Sequence, residues 1–148
     1  MSDIKLKHEG WVVVADGEKA LFLYNAGDAA HPNLQVFREL EHENPPTREQ
    51  GTDKAGRYSD ALGPNRSAVQ NTDWHKLEKE RFAKEISERL YKYAHAGRFG
   101  SLVLVAPPSV LGDLRKELHQ EVSERIVAEV GKDLTGHPVD RIEALVFG

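Results

Sequence analysis

The sequence predicts an α/β fold, a mixed five-stranded sheet with helices on its faces in the order β-β-β-α-β-α-β-α. Three observations carry that expectation. Two apolar runs, Trp11-Val12-Val13-Val14-Ala15 and Leu102-Val103-Leu104-Val105-Ala106, suit strands buried on both faces. Short turns join the first run to two further strand-like segments, which makes an antiparallel meander. Beyond the meander, helical and strand patterns alternate, and this implies parallel pairing through right-handed crossovers.

Taken in order, the first run follows Gly10 and is placed centrally in the sheet. Asp16-Gly17 predicts a tight hairpin, because both residues tolerate positive φ, with Lys19 to Tyr24 as the returning strand. Asn25 to Pro32 is a turn. Leu34 to Leu40 predicts a third strand, with Leu34, Val36 and Leu40 on one face and Phe37 on the other. Residues 43–72 have no strand or helix periodicity and are expected to form a long irregular loop. A connection of that length in a compact domain is either functional or a disordered insertion. Asp73 is then expected to cap a helix from Trp74 to His95 that Gly97 stops. Its buried stripe is Trp74, Leu77, Phe82, Ala83, Ile86, Leu90, Tyr93 and Ala94, and Glu80, Lys84, Glu88 and Lys92 form a solvated face. After Pro107-Pro108, Ser109 caps a helix that buries Val110, Leu111, Leu114, Leu118 and Val122. Ile126 to Val130 is the last strand. Residues 131–136 form a turn, and Pro138 opens a final helix with Val139, Ile142, Leu145 and Val146 inward.

The 148 residues suit one domain, 1–148, carrying the 43–72 loop. A net charge of -4 argues against a general nucleic-acid or membrane-surface binder, which needs a concentrated basic patch, but permits a local one. The absence of cysteine excludes disulfides, thiol nucleophiles and thiolate zinc sites. The apolar run near the N-terminus is too short for a secretion signal or a membrane span, so the cytoplasm is the expected compartment and no membrane partner is expected.

The element order is the ribonuclease H-like one at the level of fold alone. A nuclease on that fold needs several carboxylates around two metal ions. Asp16 supplies one, but the fourth strand ends in Ala106-Pro107-Pro108, and no spacing singles out Glu78, Glu80 or Glu85. No metal and no cofactor are therefore expected, and Asp16 reads as a turn residue before it reads as a catalytic one. The histidines lack the spacing of a metal pair. His75 stands out, because it is placed in the first turn of the long helix, where the positive helix end favours a neutral imidazole. Its alternative is a partly exposed residue at a helix start. Lys54, Arg57 and Arg66 with Tyr58 precede that helix, whose free N–H groups add to them a potential for phosphate, carboxylate or RNA backbone. Asp53 and three other acids in the stretch offset their charge. Lys132-Asp133 is a second contact or a plain turn. Gly51, Gly56 and Gly63 are too widely spaced for a phosphate-binding loop.

Five segments together resemble the bacterial host-attachment protein family. They are WVVVADGEKALFL at Trp11 to Leu23, DKAGR at Asp53 to Arg57, DWHKLEKERFA at Asp73 to Ala83, LVLVAPPSVLGDLRKEL at Leu102 to Leu118, and GKDLTGHPV at Gly131 to Val139. That family is similar to the middle domain of archaeal and eukaryotic class 1 translation release factors, which share the element order. In those factors a loop before the long helix carries Gly-Gly-Gln and hydrolyses peptidyl-tRNA. Here the corresponding stretch holds only Gln50-Gly51 and Ala55-Gly56-Arg57. The resemblance thus implies a module that binds RNA, the ribosome or a protein partner through its loop, and not a hydrolase. The expected contacts are Asp53, Arg57, Arg66, His75, Lys132 and Asp133. Two alternatives stand beside it: a protein-interaction factor needed for attachment to host cells, and a hydrolase using His75 with Asp16 or Asp53 as its orienter.

Overall fold

A run with no polar side chain satisfies its backbone only through neighbours on both edges, and this places the strand of residues 11–15 in the middle of the sheet. The computed structural model describes residues 4–41 and 64–147, and of 64–75 the helical backbone alone. Its five strands are β1 (Trp11–Ala15), β2 (Lys19–Asn25), β3 (Leu34–Glu41), β4 (Leu102–Val105) and β5 (Ile126–Val130), in the order β3-β2-β1-β4-β5. β1 pairs antiparallel with β2 and parallel with β4, and β4 pairs parallel with β5, as the alternating patterns predicted.

One face of the sheet presents Trp11, Val13, Ala15, Phe22, Leu102 and Leu104 to three helices: α1 (Pro64–His95), α2 (Pro108–Glu117) and α3 (Gln120–Ser123). The other presents Val12, Val14, Leu21, Leu23, Val103 and Val105 to α4 (Val139–Phe147) and to Leu6 of the N-terminal segment. No described helix is long and apolar enough to cross a membrane.

Several expectations are corrected. The long helix begins at Pro64, not Trp74, so residues 64–72 are helical and Asp73 is an interior residue, not a cap. Proline is well placed at a first helical position, and no strong helix breaker follows it before Gly97. The remainder of the expected loop, with Asp53 and Arg57, lies outside the described residues. At 32 residues α1 spans roughly 48 Å, whereas a strand as short as β1 spans only about 17 Å. Burial on α1 runs from Phe82 to Ala94, so the helix overhangs the sheet, and Leu77, placed in the buried stripe, is 42% exposed.

The β1–β2 hairpin does not use positive φ. Among the described residues only Glu9 and Gly97 have it. Instead Asp16 Oδ1 accepts the N–H groups of Glu18 and Lys19, both at 2.7 Å, and so builds the turn from its side chain. In β3 a bulge opposite Phe22 and Leu23 carries the chain past Phe37 and reverses the alternation beyond it. Leu40 therefore packs on the face of Phe37, not with Leu34. The expected single helix to Val122 breaks at Leu118, which is extended, and His119 Nδ1 caps α3 by accepting from Glu121 N–H at 3.1 Å. Ser109 is no cap: Pro107 holds the N-cap position without a side-chain bond, and the fixed φ of Pro108 starts α2 two residues early.

Asn25 is buried at the end of β2 and ties three segments together. Its Nδ2 donates to the carbonyls of Leu6 at 2.9 Å and Asp28 at 3.2 Å, while its Oδ1 accepts from Gly27 and Asn33, both at 2.9 Å. Replacing it orphans one buried and several part-buried backbone groups at once. Asn25→Ala is expected to lower stability by roughly 2–4 kcal/mol in urea unfolding, and a loss below about 0.5 kcal/mol would contradict this role.

Candidate functional site

In sheets of this kind ligands gather beyond the carboxyl ends of the parallel strands, because the connecting loops converge there. Here the ends of β1, β4 and β5 form that rim. β3 runs parallel to β1 through its antiparallel pairing with β2, so Glu41, opposite Lys19, delivers the chain to the same rim. The segment 42–63 departs from this edge, and α1 returns past it.

At the rim the hairpin after β1 and the turn after β5 are bonded to each other. Thr135 Oγ1 lies 2.8 Å from Asp16 Oδ2 and 2.8 Å from Asp133 Oδ1, and Asp133 Oδ1 also accepts from Thr135 N–H at 3.2 Å. Asp16 thus uses one carboxylate oxygen on its own turn and the other on a residue 119 positions away. Lys79 of α1 lies against Gly17: a Cβ there would stand 2.9 Å from Lys79 Cγ, so the missing side chain lets the lysine stem cross the hairpin. Lys132 is exposed beside the turn.

The structure brings Asp16 and Asp133 together through Thr135, with Lys132 next to Asp133 in sequence. His75 is the twelfth residue of α1, not a first-turn residue, so the argument from the positive helix end does not apply to it. Arg66 occupies the first turn instead, with its side chain outside the described residues. Thr135 and Lys79 were missed. For Thr135 a signal existed in the KDLT of the resemblance; for Lys79 none did, since its position depends on how α1 crosses the hairpin.

A hydroxyl between two carboxylates has one proton to give, so Thr135 donates to one at a time and is not poised as a nucleophile. Among the described residues no group of three or more His, Cys, Asp or Glu stands ready for a metal ion. An open pocket of about 550 Å³ beside the rim is lined, among the described residues, by Glu39, Leu40, Glu41 and Glu85. The described part of the rim is thus a hydrogen-bonded surface of mixed charge.

The fold is that of a release-factor-like α/β domain. The chain belongs to the bacterial archaeo-eukaryotic release factor family 12, whose profile matches residues 9–146. It is 28% identical over 92 residues to an uncharacterised protein of Rickettsia prowazekii (strain Madrid E), a match that spans 61% of each protein. The crystal structure of an archaeal translation termination factor superposes with a TM-score of 0.46 at 12% identity, over 91% of this chain and 38% of that one.

The interlock has a measurable energy. Thr135→Val is expected to cost about 1 kcal/mol and Asp16→Ala about 1–3 kcal/mol. Because both remove the same bond, the double variant should fall short of their sum in urea unfolding. Strict additivity would show that the hairpin and the turn are not coupled.

Proposed function

We propose that this chain is a non-enzymatic binding module of release-factor type that engages RNA or a ribosomal surface through its carboxyl-end rim and the segment that leaves it. The observation that carries the reading is the Asp16–Thr135–Asp133 interlock, which fixes two turns as a platform and commits the hydroxyl as a donor. Arg57, Arg66, Lys79 and Lys132 would supply cations for a phosphate backbone, with Asp53, His75 and Asp133 as polar contacts. The stretch holds Ala55-Gly56-Arg57 where release factors carry Gly-Gly-Gln, and this supports binding without ester hydrolysis. Work at the ribosome would place the protein in the cytoplasm.

The expected result is co-sedimentation with ribosomes that falls steeply with salt and drops about tenfold in the Arg57→Ala, Arg66→Ala double variant. Complete absence from the ribosome fraction at low salt would overturn the reading. Association that survives both high salt and ribonuclease would point to a protein partner, the role under which the family resemblance implies attachment.

A further inference from the structure

The opposite end of β1 carries an aromatic wall that the core does not fully use. Of the eleven aromatic side chains (two Trp, four Tyr, five Phe), six meet there: Trp11, Phe22, Tyr24, Phe37, Tyr93 and Phe99. Trp11 stacks on Phe99 at 4.7 Å and 28°, and meets Phe37 at 4.6 Å and Tyr93 at 5.0 Å. Trp11, Phe22 and Phe99 are buried, whereas Phe37 remains 36% exposed, and Tyr24 and Tyr93 are half-buried. Together with Glu9, Gly97 and Arg98, Trp11, Tyr24 and Phe37 line an open pocket of about 410 Å³. A second pocket of about 250 Å³ shares Glu9, Gly97 and Arg98 with it and adds Lys7, His8 and the turn before β4.

Charge is placed along this groove. The Arg98 guanidinium lies 5.8 Å from the Tyr93 ring, and neither Arg98 nor Lys7 forms an ion pair among the described residues. Behind the wall the Arg125 guanidinium lies 5.8 Å from the Phe99 ring, and its buried Nη1 has no hydrogen-bond partner among the described residues. The carboxylate on the groove is that of Glu9, whose φ of 66° is otherwise glycine territory. Asn25 sustains it, accepting from Glu9 N–H and donating to the Gly10 carbonyl, both at 2.8 Å. The turn closed by Gly10 N–H on the Lys7 carbonyl at 3.0 Å holds Glu9 there as well.

We propose that this groove binds one unpaired nucleotide. Its base stacks on Phe37 and Tyr24 and gives an exocyclic amine to Glu9, while its phosphate meets Lys7 and Arg98. A purely apolar ligand would leave both cations and Glu9 without a role, and a bare phosphate would leave the aromatic wall without one. Ring faces, cations and an acceptor in one groove match a base that carries its phosphate. The site lies a full strand away from the rim and does not rest on the function proposed for it.

Trp11 reports on the pocket. The chain has two tryptophans, so Trp74→Phe leaves Trp11 as the one tryptophan, which red-edge excitation selects over the tyrosines. In that background AMP and tetraadenylate should quench its fluorescence saturably, and ribose 5-phosphate should not. Phe37→Ala and Arg98→Glu should each weaken binding about tenfold, with circular dichroism unchanged. Arg98 is exposed, so its variant carries the test should Phe37→Ala fail to fold. Arg57→Ala with Arg66→Ala should leave AMP binding intact, which separates this site from the rim. Tighter binding of tetraadenylate than of AMP assigns a strand as the occupant, and equal binding assigns a free nucleotide. The proposal is overturned by no saturable quenching with either adenine ligand, by ribose 5-phosphate binding as well as AMP, or by unchanged affinity in Arg98→Glu.

Discussion

The structure depends on the burial of β1. All five of its residues are covered on both faces, and its backbone is bonded to β2 on one side and β4 on the other. No edge is left to water, so the strand cannot slip by one residue without moving Trp11, Val13 and Ala15 onto the face built for Val12 and Val14. Register and position are thereby fixed together. Every feature at either end of the molecule is placed relative to this strand: Asp16 continues it at one end, and Gly10 and Glu9 precede it at the other.

The two ends differ in what they offer. At the carboxyl end side-chain oxygens lock neighbouring turns together, and the overhanging α1 brings Lys79 across Gly17. At the amino end Asn25 locks the chain through both its side-chain amide and its backbone, and what remains open is an aromatic surface flanked by cations.

Much of the fold was legible in the sequence because burial writes itself as pattern. The two continuous apolar runs gave the central strand and its parallel neighbour, and the stripe from Phe82 to Ala94 gave the part of α1 that packs. What was not legible came from local chemistry with weak signals. Residues 64–73 join the helix without an apolar stripe in the sequence, so periodicity gave no sign of them. The bulge at Phe37 exchanged the faces of β3, and the His119 cap broke a helix that periodicity alone would continue. Of the candidate site, Asp16, Lys132 and Asp133 were legible as turn residues and Thr135 only as part of KDLT, but its bonds to Asp16 and Asp133 needed the fold that brings two distant turns together.

If β1 is the fixed reference for both ends, its amides should open only when the whole protein unfolds. Native-state hydrogen exchange of Val12, Val13 and Val14 measures this directly. The expected result is opening free energies equal to the global unfolding free energy, with an equal denaturant dependence. Opening of these amides well below that value, through a local fluctuation that leaves the rest folded, would contradict it.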